Sequence, residues 1–249
     1  MQRATIGAMA AVAIPALAAS LAWAAPSVPA YISAAVADSA RPAEDKQSDA
    51  DRKPAETLAF AGVKPGDTVI EIAPGKGYYT RLLSAVVGPK GKVYATTSPP
   101  KPDAPPPAVQ AIAADPHYSN VTVSLQRVAD LKLPQGVDLV WTSRNYHDFH
   151  NIPDVDVATI NRAVFAALKS GGTYLVLDHA AEAGSGLRDT NTVHRIDEET
   201  VKQEVTAAGF KLIGESDILR NKSDPHTAKV FDPEIRGHTD QFVLKFKKP

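Results

Sequence analysis

The sequence predicts an α/β fold, a doubly wound and mostly parallel sheet, on three observations. Short apolar runs alternate with segments whose apolar residues recur every three or four positions. The first such run breaks into a glycine turn that opens a helix, and polar loops follow the later runs. Right-handed crossovers between parallel strands then place helices on both faces.

Residues 1–24 hold Arg3, an apolar run from Ala8 to Leu21 and the tripeptide Ala22-Trp23-Ala24, the three parts of a secretory signal peptide. The run is short of the roughly 20 apolar residues that a membrane span needs. An exported, periplasmic protein is expected, cleaved near Ala24 or Ala25 and left with no stable membrane anchor. Residues 25–52 form an Ala-, Asp- and Ser-rich arm, with room for a helix around Tyr31 to Ala37, that is expected to pack weakly. The main domain is expected over 53–249, since roughly 225 residues suffice for one α/β domain and fall short of two.

The segment DRKPAETLAFAGVKPGD reads as a helix, with Pro54 in its first turn and Gly62 just past its end. Val69, Ile70 and Ile72 form the first strand, and Tyr79, Leu82, Leu83 and Val86 mark the helix after it. Gly91–Ala95 is the second strand, followed by the Pro-rich loop 98–107, a helix at Ala108–Ala114 and a third strand at Val121–Leu125. The fourth strand is Gly136–Trp141. The helix Pro153–Leu168 aligns Val157, Ile160, Val164 and Leu168 on one face, and Gly171–Leu177 is the fifth strand. A helix at Asp197–Ala208 closes on Gly209, and Phe210–Leu219 and Gln241–Phe246 are two further strands.

The stretch DTVIEIAPGKGY, from Asp67 to Tyr78, is the first half of a dinucleotide- or nucleoside-binding βαβ unit. Gly75 and Gly77 have no Cβ, so a ligand can lie against the main chain where amide groups open the helix. Glu71, inside the strand, needs a partner, which a ligand's ammonium or hydroxyl groups would supply. A nicotinamide fingerprint fits less well, because Thr80 stands where a third glycine is expected.

An acid two residues before the turn, followed by Gly-x-Gly, resembles motif I of the class I S-adenosylmethionine-dependent methyltransferases. The likeness covers about residues 53–248, and RKPAE, NYHDFHN and RGHTDQFVLKF are similar to a group of predicted exported bacterial methyltransferases. It implies a Rossmann-like, mostly parallel seven-stranded sheet whose antiparallel last strand lies between the fifth and sixth. It implies S-adenosylmethionine as cofactor, held by Glu71, Ala73, Gly75, Gly77, Tyr78 and Thr97. Two positions are altered from the pattern, Ala73 and Thr97, the second standing where an acid usually holds the ribose hydroxyls.

Ligands of doubly wound sheets bind outside the carboxyl ends of the strands, so loops leaving those ends line the site. Six of the seven histidines fall in three such loops, Ser143–Asn151, Asp178–Arg195 and Arg220–Asp240. For methyl transfer, His147 or His150 would act as base and Tyr146 would position the acceptor. Asp178, His179 and His194 would orient the acceptor, and Arg220 and Arg236 would bind an anionic group on it. No metal ligand belongs to this reading. An alternative is a metal-dependent hydrolase using His147-x-x-His150 with Asp178 and His179, and a third is a non-catalytic ligand-binding protein of the same fold.

Composition narrows the partners. The absence of cysteine excludes disulfides and zinc-thiolate sites. Without Arg3, 26 basic residues face 28 acidic ones, which points to neither nucleic acid nor an anionic membrane. A small-molecule substrate is the expected partner.

Overall fold

The computed structural model describes residues 27–249, and the leader expected over 1–24 lies outside the described residues. The strands are β1 (Thr68–Ile72), β2 (Lys92–Thr97), β3 (Val121–Leu125), β4 (Val137–Ser143), β5 (Leu168–His179), β6 (Lys211–Ser216) and β7 (Gln241–Lys247). They form one seven-stranded sheet in the order β3-β2-β1-β4-β5-β7-β6. The ladders from β3 across to β5 are parallel, and β7 runs antiparallel between β5 and β6, as the alternation and the resemblance predict.

Among the described residues the helices are α1 (Ala30–Val36), α2 (Ala43–Gln47), α3 (Asp49–Arg52), α4 (Pro54–Ala61), α5 (Tyr78–Val87), α6 (Ala108–Ala114), α7 (Tyr146–Phe149), α8 (Val157–Ala167) and α9 (Glu198–Ala207). Because side chains alternate along a strand, each central strand feeds both faces. Val69, Trp141, Leu175 and Leu177 pack with residues of α1, α4, α5 and α6, while Ile70, Val140, Tyr174 and Val176 pack with residues of α8 and α9. The chain winds outward from β1 in one direction and from β4 in the other. The crevice at the carboxyl ends of β1 and β4 is therefore the switch point where such sheets bind ligands.

The arm departs from expectation. Ile32 is fully buried in the first core cluster and α1 packs on both α4 and α5. Arg41 donates to both carboxylate oxygens of Asp49 at 2.9 and 2.6 Å, and Arg81 pairs with Asp45 at 3.0 Å. One apolar anchor and the Arg81–Asp45 ion pair thus dock a segment whose composition alone suggests weak packing, and the Arg41–Asp49 pair braces it internally.

The helix expected from Pro153 begins at Val157, because the Asp156 side chain accepts from Ala158 N and caps it there. The fifth strand starts at Leu168 rather than Gly171, its edge residues reaching back to pair with Val137.

Candidate functional site

The carboxyl ends of β1, β2 and β4 stand level, with Ile72 paired to both Thr96 and Thr142. The turn after β1 is pinned from both sides: Ala73 N donates to Thr96 O at 2.9 Å, and Asn145 Nδ2 donates to Ala73 O at 2.9 Å. Ala73 adopts φ +55°, the left-handed region in which a Cβ costs about 1–2 kcal/mol. Its hydrogen bonds hold it there.

The two glycines of the turn have different neighbours. A Cβ on Gly75, at φ +57°, would meet nothing within 4 Å, so that stretch of backbone faces open space. A Cβ on Gly77, at φ +81°, would come within 2.1 Å of Ile112 Cδ1 on α6. Gly75 thus leaves a bare cradle fit for a ligand, whereas Gly77, expected to touch cofactor, is required by packing against the protein itself.

Glu71 is buried and accepts from Thr80 Oγ1 at 2.5 Å. Burial raises its carboxyl to about 7, against the pull of the Thr80 hydrogen bond and the nearby Arg52 charge. Near neutrality Glu71 is poised between its two states. Tyr78, also expected at the cofactor, is buried; its hydroxyl donates to Asp49 at 2.6 Å and its ring lies 4.4 Å beneath Arg52. It serves as a tie between turn and arm. Thr97 ends β2 at the expected rim position, where its carbonyl accepts from Gln126 N.

The histidines separate into two groups. His147, on the one-turn helix α7, is fixed by Asp178: its backbone amide donates to Asp178 Oδ2 at 2.8 Å and its Nδ1 lies 2.8 Å from Oδ1. Burial opposes charge on His147, but the Asp178 and Asp148 carboxylates outweigh it and raise the imidazole to about 10. His147 is therefore a cation at neutral pH and has no lone pair with which to take a proton. His179, with Nδ1 2.7 Å from Thr239 Oγ1, is held well below the usual histidine value by burial and then by the Arg144 charge, so it is neutral. Its ring centroid lies 6.1 Å from that of His147, and the His194 ring lies 5.5 Å from His147 on another side. His194 adopts φ +59°.

Other expected residues point elsewhere. Tyr146 is fully buried, its hydroxyl donating to Glu204 at 2.9 Å and accepting from Asn161 Nδ2 at 2.8 Å, so it cannot position an acceptor. His150 Nε2 lies 3.2 Å from the same Glu204 on α9. One helical turn separates His147 from His150, yet the first faces β5 and the second faces α9. The hydrolase pair therefore does not converge. Asp178, fully buried and also accepting from His179 N at 2.8 Å, positions the two histidines rather than facing an acceptor. Arg220 is engaged by Glu198, Asp240 and Asp217, so its charge is already countered by the protein's own carboxylates. His226 and His238 are bound to Asp240 and Asp51.

Beside the turn lies a cleft of about 400 Å³ bordered by Lys76, Tyr78, Arg52, Arg144 and Arg236 on the cationic side and by Glu44, Asp45 and Asp51 of the arm on the other. Clefts of about 300–1,000 Å³ hold small ligands. Arg144, at φ +60°, donates from Nε to Gln241 Oε1 at 2.9 Å. Burial and then the adjacent Arg52 charge lower its guanidinium to about 10. Two guanidinium groups thus crowd one wall, an arrangement that favours an anionic group between them. Arg52 and Arg144 were not among the residues the sequence singled out. The signal for Arg144 was its place directly after the carboxyl end of the fourth strand.

No model of a known protein family matches the chain. The chain is 29% identical over 204 residues to the ubiquinone/menaquinone biosynthesis C-methyltransferase UbiE of Ectopseudomonas mendocina, covering 76% of this chain and 66% of that protein. It therefore spans just under two thirds of that relative's length. A solved S-adenosylmethionine-dependent methyltransferase from Aquifex aeolicus superposes with a TM-score of 0.59 at 18% identity, over 84% of this chain and 99% of that one. A possible exported protein from Bordetella parapertussis superposes with a TM-score of 0.51 at 16% identity, over 82% of this chain and 67% of that one. In its sheet order and its glycine turn the chain has the fold of the class I S-adenosylmethionine-dependent methyltransferases, and in sequence it is similar to a C-methyltransferase.

Proposed function

We propose that the chain transfers a methyl group from S-adenosylmethionine to a small-molecule acceptor, with the cofactor lying along the Gly75 backbone and the acceptor entering by the arginine-lined cleft. The observation that carries this reading is the open space over Gly75 at the switch point, beside a buried carboxyl that needs a cationic partner. The cofactor supplies a sulfonium methyl group for in-line displacement. Glu71 supplies negative charge under the turn, Thr97 a hydroxyl at the ribose position, and Arg52, Arg144 and Arg236 the positive wall. The name of the Ectopseudomonas relative supports carbon as the methylated atom.

Calorimetric titration tests the reading: micromolar binding of both S-adenosylmethionine and its demethylated product is expected, and binding of neither removes it. The same titration carries a signature of Glu71. A carboxyl that titrates near 7 is about half protonated at pH 7, and a cation bound beside it lowers its pKa. Binding of the sulfonium cofactor is expected to release up to about half a proton at pH 7, measured from the dependence of heat on buffer. Release should fall towards zero above pH 8, where the group is already ionised, and should vanish in Glu71→Gln.

The reading includes export with removal of residues 1–24. Amino-terminal sequencing of the chain recovered from the periplasm after full-length expression is expected to begin near Ala25, and recovery of intact chain from the cytoplasm alone counts against export.

A further inference from the structure

His147, Asp148 and His194 come from two different loops, and one ligand atom of each lies within 4.8 Å of the others. His147 Nε2 stands 3.3 Å, and His194 Nδ1 3.4 Å, from the same Asp148 oxygen. Ligand atoms around a tetrahedral ion with bonds of about 2.0–2.1 Å stand about 3.3–3.4 Å from one another. The measured separations match such an edge. They lie just beyond the ~2.7–3.2 Å range of ordinary N–H···O hydrogen bonds.

The support behind these ligands is that of a metal centre. A ligating histidine commonly gives its other ring nitrogen to a carboxylate, which fixes the ring and its tautomer. The fully buried Asp178 does this for His147, 2.8 Å from Nδ1, and leaves Nε2 directed at Asp148. His150 gives no such ligand, and neither do His226 and His238, which are turned to other carboxylates. Asp148 and His194 keep 47% and 31% of their side-chain surface exposed, so an ion between them is reached from solvent.

We propose that His147 Nε2, Asp148 and His194 Nδ1 bind one divalent transition-metal ion, of the zinc or ferrous class, with at least one coordination position left open. Two imidazoles and a carboxylate select such ions over magnesium and calcium, which prefer all-oxygen sets. Three protein ligands are the count found where a metal acts on a bound molecule, whereas structural zinc takes four. On binding, the ion takes the place of the Nε2 proton, and the open position accepts water or an acceptor oxygen. None of the three ligands comes from the turn at Gly75, so zinc binding is measured independently of whether the chain binds S-adenosylmethionine.

The test uses the whole chain, stripped with chelator and dialysed, then titrated with Zn²⁺ and separately with Mg²⁺. One equivalent of saturable Zn²⁺ is expected, with no saturable Mg²⁺. His194→Asn keeps a residue that tolerates left-handed backbone, and Asp148→Asn removes the anionic ligand without changing shape. Each is expected to weaken Zn²⁺ binding at least 100-fold, and Asp178→Asn about 10- to 100-fold through the orientation of His147. His226→Ala, outside the cluster, should match the parent. Co²⁺ should give visible absorption of four- or five-coordinate intensity in the parent and lose it in His194→Asn, with far-ultraviolet dichroism showing that both are folded. If the parent takes up no stoichiometric Zn²⁺, or if His194→Asn and Asp148→Asn bind it as the parent does, the proposal is overturned, and His147 is a cation clamped between two carboxylates.

Discussion

Replacing Asp224 by Ala is expected to destabilise the chain by about 3–5 kcal/mol, because it leaves a buried guanidinium with no counter-charge. Neither the Arg195 nor the Asp224 side chain has exposed surface. Arg195 donates to both Asp224 oxygens, at 2.7 and 3.1 Å, and also to the carbonyls of Ala180 at 3.0 Å and Ala228 at 3.1 Å. Asp224 in turn accepts from the backbone amides of His226 at 2.9 Å and Asp240 at 2.6 Å. The pair therefore fastens the long connection between β6 and β7 to the segment that follows β5. The same connection carries Thr239, the partner of His179 Nδ1.

For a domain of this size each kcal/mol moves the midpoint by roughly 2–4 °C, so thermal unfolding of Asp224→Ala should fall by roughly 6–20 °C. Replacing both partners, Arg195→Met with Asp224→Leu, should recover much of that loss, because the cost lies in the stranded charge more than in the pair itself. A loss below about 1 kcal/mol in Asp224→Ala would show that water reaches the guanidinium and that the pair is not buried. The pH dependence has a definite sign. Burial pushes the Asp224 carboxyl up, and the Arg195 hydrogen bond and charge pull it further down, to a net lowered value. Its stabilisation is present above the unfolded value of about 4 and is lost as pH falls through the lower folded value.

Period and punctuation made most of the fold legible in the sequence. Val69, Ile70 and Ile72 had to be a strand because a buried parallel strand is apolar on both faces, and the Ala108–Ala114 helix and Val121–Leu125 strand lie where the pattern puts them. Errors came where a cap or a partner overrode a pattern, as with Asp156 at the start of α8 and the arm docked by Ile32. The one-turn helix Tyr146–Phe149 is too short to show a period.

The candidate site was legible by region and not by side chain. Topology gathers three loops on one rim, but it does not say that His147, His179 and His194 turn together while His150, His226 and His238 turn away. That choice is made by Asp178, Glu204, Asp240 and Asp51, acids whose positions depend on long-range packing. Asp148 and Arg144 were passed over for the same reason. Their neighbours on the rim come from segments far away in the chain, and only the folded sheet brings them together.

Alanine at Gly75 and alanine at Gly77 are expected to fail in different ways, which separates the ligand's claim on the turn from the protein's own. Both residues have positive φ, so each substitution carries a backbone strain of about 1–2 kcal/mol. The turn already sustains one such residue, Ala73, so this strain is compatible with folding. At Gly77 the new methyl is driven against Ile112 on α6, and overpacking adds about 1–3 kcal/mol. Gly77→Ala should therefore lose about 2–5 kcal/mol, a fall of roughly 4–20 °C in midpoint, while the folded fraction binds cofactor nearly as the parent does. At Gly75 the methyl enters open space, so stability should fall by the strain alone. If a cofactor lies there against bare backbone, Gly75→Ala should weaken S-adenosylmethionine binding by more than tenfold. Pairing Gly77→Ala with Ile112→Ala should relieve the clash, whereas no second change within the protein should restore binding to Gly75→Ala. Equal affinity in Gly75→Ala and the parent would place the cofactor away from this turn. The carboxyl of Glu71 would then need some other partner for its charge.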